Sequence, residues 1–162
     1  MPHDTKYSVI KFIILGLGAF FLQLYFIPLL EIKVWRPDLI LLLILYIGYS
    51  FGVIHGTISG FILGLFQDAL SPNPLGMSSL ANCIIGFLAG QGRQFKLAYN
   101  AKVLLSILLI LIHGIIFFFL YQFKSEASYL FLLFTRVFPN TIYTFAIGIL
   151  ISIFMRSKLS GT

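Results

Sequence analysis

Charge is what this chain lacks most. Asp, Glu, Lys and Arg together make up 10% of its 162 residues, whereas a soluble domain carries about 25%. That leaves too little polar surface to cover a water-soluble fold. Acidic side chains are the scarcer kind, 5 against 11 Lys and Arg, for a formal net charge of +6. The basic residues form no cluster with interleaved aromatics in a polar segment. Their excess therefore reads as the cytoplasmic bias of membrane loops, with no nucleic-acid partner expected. The single cysteine, Cys83, excludes an intrachain disulfide and lies in an apolar run, where a thiol serves as a small packing group. Long polar stretches are missing too, so no separate soluble domain is expected.

What is present is apolar. Hydrophobic residues make up 59% of the chain, and the mean hydropathy is +1.01. The expected fold is a compact, all-α integral membrane protein forming one domain over 1–162. A span needs about 20 apolar residues. Six segments are candidates: roughly Val9–Leu30, Pro37–Tyr49, Val53–Leu70, Leu75–Gln91, Val103–Phe123 and Tyr129–Met155; the second and fourth are short, and would thin the bilayer or be sheltered by neighbours. Pro37 to Leu70 would be about 50 Å long as one helix, so a break is expected near Ser50–Gly52; without it there would be five spans. Lys6 and Lys11 precede the first apolar run, but no small-x-small cleavage site follows. The run reads as a retained first span.

Six spans put Lys6, Lys11, Arg93, Lys96, Lys102, Arg156 and Lys158 on one side. Lys33, Arg36 and Lys124 fall on the other, offset by Glu31, Asp38 and Glu126. The more positive side is cytoplasmic, so both termini are expected there. Trp35, Tyr121 and Tyr129 flank the outer loops, where interfacial aromatics belong.

Glycine is the most regular feature. Gly48, Gly52, Gly56, Gly60 and Gly64 recur every fourth residue, and the same step continues to Asp68, Pro72 and Gly76. Small residues at this spacing let helix backbones approach in lipid. A four-residue step drifts by about 40°, so Gly60 and Gly64 should share one contact, with Gly48 and Gly52 in another or in the turn. Gly86 and Gly90 repeat the motif.

Asp68 is the one carboxylate inside an apolar segment, and an ionisable group in a span is costly enough to suggest a role. Arg136 lies in the last segment, with Asn140 four residues on. An arginine fork suits a carboxylate, so Asp68 and Arg136 are expected to pair, directly or through water, with Asn140 satisfying leftover valences and Asp38 and Glu126 as rival partners. The alternative is an Asp68 that caps its own helix end and an Arg136 that snorkels alone. Pro139 should free a carbonyl near Thr135. Asn82 is expected to bond between helices, and His113 to make a structural hydrogen bond. No metalloprotease HExxH, GxSxG elbow or phosphate-cradling GxxxxGK[ST] occurs. No enzyme, catalytic residue, metal or cofactor is expected.

Gly60-Phe61-x-x-Gly64-Leu65-x-x-Asp68, followed by Leu75-Gly76 and Leu80, resembles the signature of the MreD family, small bacterial inner-membrane proteins required for rod shape. Pro37-Asp38-Leu39, Gly86-x-x-x-Gly90 with Arg93, and Pro139-x-Thr141-x-x-Thr144 with Tyr143 agree with it. The resemblance implies a non-enzymatic scaffold of the cell-elongation machinery that makes lateral peptidoglycan. The implied partners are an MreC-like protein, and beyond it MreB, RodA and a class-B penicillin-binding transpeptidase. It also implies a fold similar to the S components of energy-coupling-factor transporters. The competing function is such a vitamin-binding S component, against which Gly16 is followed four residues on by Phe20 rather than a small residue.

Overall fold

The computed structural model describes residue 14 and residues 16–30, 35–71, 74–95, 99–124 and 128–159, with no side chain described at 30, 99 or 152–159. Six helices account for most of them. They are α1 (Gly16–Leu29), α2 (Leu39–Phe51), α3 (Val53–Ala69), α4 (Met77–Gln94), α5 (Tyr99–Tyr121) and α6. The last runs through Tyr129–Leu132, a π-helical turn Leu133–Val137 and Phe138–Leu159. Residues 9–13 of the first expected span lie outside the described residues.

The helix boundaries depart from the sequence reading where polar chemistry intervenes. Pro37 is not helical; Asp38 is the N-cap of α2, its carboxylate accepting from Leu41 N at 2.9 Å. Leu75 and Gly76 form a turn, and α4 starts only at Met77. The break between α2 and α3 falls at Gly52, whose φ of +92° suits glycine and strains other residues.

Helix α4 is the hub. It packs most closely on α3 and also lies against α2 and α5, while α6 leans on α5. Leu41, Leu45, Ile85, Ala89, Leu109 and Ile110 form the apolar core between α2, α4 and α5. A smaller core of Phe118, Leu132 and Val137 joins α5 to α6. Helix α1 reaches α3 through Gly16, where a Cβ would meet Leu63 at 3.3 Å, and through the edge-to-face rings of Phe20 and Phe66.

The outward faces are apolar. Ile54, Phe66, Leu104 and Ile142 are largely exposed, more contiguous grease than a soluble monomer shows. Two helices are long and apolar enough to cross a membrane, Asn100–Tyr121 with a mean hydropathy of 3.0 and Tyr129–Ile151 with 1.4. Gly16–Leu29 and Leu39–Phe51 are shorter apolar helices.

Candidate functional site: a capped glycine seam and a polar cavity

The glycine repeat resolves into two contacts on two helices. On α3, Gly56, Gly60 and Gly64 form one buried face. Gly56 meets Gly86, Gly60 meets the Asn82 carbonyl, and Gly64 meets Ser79, where a Cβ would lie 2.5 Å from Ser79 Cα. Gly90 abuts Val53 at the opposite end of the seam. The two backbones are so close that no side chain fits between them. Gly48 belongs to α2 and faces α4 instead, a Cβ there falling 2.7 Å from Ala89 Cβ. Phe61 and Leu65, alternating with the glycines in the signature, point outward and are about half exposed.

Asp68 ends the seam. It is 1% exposed, and its carboxylate accepts from Gly76 N at 2.9 Å, Ser78 N at 3.0 Å and Ser79 N at 3.2 Å. These amides open α4, whose first N–H groups have no partner within the helix. A negative charge there is favoured by hydrogen bonding and by the helix dipole together. Gly76 makes the turn possible with a φ of +102°. The carboxylate of one helix thus caps the next.

This corrects the expectation of a direct Asp68–Arg136 pair. Both carboxylate oxygens are taken by backbone amides, and among the described residues no ion pair joins the two side chains. Asn140 does not serve Asp68 either. Its Oδ1 accepts from Arg36 N at 3.1 Å. The physical reason is proximity along the chain: the amides of α4 begin only a tight turn beyond Asp68, and they satisfy it without a second helix.

The extended segment 35–38 docks along α6. Trp35 Nε1 donates to the Thr135 carbonyl at 3.1 Å, Arg36 N to Asn140 Oδ1, and Asp38 N to Thr144 Oγ1 at 3.1 Å. Thr135 is four residues before Pro139, so its carbonyl is the one proline leaves without an N–H. The π turn just before Pro139 takes up the irregularity, a place where helices commonly carry function. Thr141 turns inward and donates to the Val137 carbonyl at 2.8 Å. Tyr143 is half-buried.

Asp38, Gln67 and Gln23 complete a polar network that the sequence reading missed. Asp38 Oδ2 accepts from Gln67 Nε2 at 3.3 Å, and Gln67 Oε1 accepts from Asn82 Nδ2 at 3.2 Å. Gln23 accepts from Leu39 N at 2.8 Å and donates to the Pro37 carbonyl at 3.3 Å. The available signal was glutamine within apolar runs. Among the described residues Asn82 Oδ1 and His113 Nε2 are buried without a partner; Asn82 makes its interhelical bond through Nδ2 alone, and the His113 ring stacks on Phe117.

Beside this network lies a cavity of about 480 Å³. It opens among the segment 35–38, the C-terminal end of α3, the start of α4, and α5 and α6. Arg36, Asp38, Gln67, His113, Arg136 and Asn140 give it its polar character. Among the described residues no group of three His, Cys, Asp or Glu side chains could hold a metal ion.

The chain matches the family described as rod shape-determining protein MreD over residues 3–160. It belongs to the MreD family. The protein is therefore a rod shape-determining membrane protein. No curated protein and no solved structure matches the chain. Gly60, Gly64, Asp68 and Gly76 of the block that carries the family resemblance lie in the glycine seam and the Asp68 cap.

Proposed function

We propose that this protein is a non-enzymatic, six-span scaffold of the lateral peptidoglycan-synthesis machinery, with both termini in the cytoplasm. Family membership supports the shape-determining role. The observation that carries the scaffold reading is the division of the fold. A backbone-to-backbone α3–α4 block with a capped junction gives a rigid centre, and the apolar outer faces of α3, α5 and α6 leave room for neighbouring spans. The natural partner is an MreC-like protein, with MreB, RodA and a class-B penicillin-binding transpeptidase in the same assembly.

Helices α3 and α4, with 17 and 18 residues, would rise about 26 Å each. That fits a slightly thinned bilayer and supports counting them as spans. The test is depletion in a rod-shaped host together with copurification of the tagged protein from native membranes. Rounded cells and recovery of an MreC-like partner are expected. The cavity also has the size of a small-molecule site, which favours the S-component reading as second choice. Depleted cells that stay rod-shaped and lose vitamin uptake would establish that reading instead.

A further inference from the structure

The 480 Å³ cavity holds donors that no described residue uses, on Arg136 and Asn140. Asp38 is the carboxylate among the described residues that line it. Both Asp38 oxygens are already engaged, by Leu41 N and by Gln67 Nε2. The half-buried Arg136 guanidinium makes no hydrogen bond or ion pair with any described residue. Asn140 spends its Oδ1 on Arg36 N, and its Nδ2 has no partner among the described residues. An unpartnered cation at a membrane protein's interior face is costly, and the π turn Leu133–Val137 that carries Arg136 is an irregularity held in place by Trp35. Free N–H groups on a planar fork beside an amide donor call for a ligand that only accepts, carries negative charge and presents several oxygens.

We propose that this cavity binds a phosphate group, with the Arg136 guanidinium and Asn140 Nδ2 as donors. The cavity is lined in part by the end of α3 and the start of α4, and in the six-span arrangement such helix ends lie toward the phospholipid headgroups. An anionic lipid headgroup and a soluble phosphate share the chemistry, and the site does not depend on which proteins the chain assembles with.

The test uses the full-length protein purified in detergent. Native mass spectrometry with added phosphatidylglycerol, and with diacylglycerol as the phosphate-free control, reads lipid retention. Thermal melts with inorganic pyrophosphate read the soluble source. Phosphatidylglycerol should be retained and diacylglycerol lost, with retention falling at least fivefold in Arg136→Gln. Asn140→Asp keeps the oxygen that Arg36 N needs but replaces the donor with a negative charge. It should lose retention similarly while its ligand-free melt does not fall. Stabilisation by pyrophosphate without lipid retention, lost in the same variants, supports the site with a soluble ligand. Equal retention in wild type and both variants, equal retention of diacylglycerol, or no binding of either phosphate source overturns the proposal and leaves the cavity to a protein segment.

Discussion

Gly56 of α3 and Gly86 of α4 face each other with each backbone carbonyl lying where the other residue's Cβ would stand. Neither side can yield, because the obstacle is backbone. Gly86→Ala should therefore push the helices apart at a cost of about 1–3 kcal/mol, the range for overpacking a tight interface. Gly64→Leu, against Ser79, should be worse. Gly18→Ala is the control, since among the described residues nothing lies within 4 Å of a Cβ at that position. Membrane abundance and thermal stability in detergent check this; an unaffected Gly86→Ala would show that the seam is looser than described.

Removing the Asp68 cap leaves three buried amides at the start of α4 short of an acceptor. Asp68→Leu should cost about 1–3 kcal/mol, and Asp68→Asn less, since an amide oxygen still accepts. Because Asp68 and Arg136 do not touch, combining Asp68→Asn with Arg136→Gln should give additive losses within about 0.5 kcal/mol. A double-mutant cycle on stability decides, and strong coupling would restore the direct pair.

The docking of Trp35 onto the Thr135 carbonyl makes a separable prediction. Trp35→Phe keeps the ring and deletes the donor, and should lower stability by about 0.5–1.5 kcal/mol. Thr144→Val removes the acceptor for Asp38 N and should act similarly. In a host that depends on the protein for rod shape, the double variant should loosen the segment 35–38, which a cysteine at Arg36 would report through faster labelling by a membrane-impermeant thiol reagent. Unchanged labelling would mean the docking is held elsewhere.

The topology follows from the placement of basic residues. Alkaline-phosphatase fusions at Asn100 should be inactive and those at Ser128 active. High activity at Asn100 would invalidate the six-span arrangement.

The sequence alone determined the class of protein, its helical character and the family to which it belongs. Shortage of charge leaves no way to face water, and a four-residue glycine step is readable because helix periodicity is local. The break at Gly52 was legible for the same reason, as a change forced by helix length. Tertiary structure alone decided what those residues touch. Periodicity says which face of α3 is small, but not that α4 lies on it, nor that Gly48 meets α4 from a different helix. Asp68 could reach either a cation on α6 or the amides of the next helix. The choice was made by a turn through Gly76 that brings those amides within 3.2 Å. The docking of residues 35–38 onto Thr135, Asn140 and Thr144 spans about a hundred positions in the chain. Partners that far apart leave no local pattern, because only packing of the whole bundle brings them within hydrogen-bonding distance.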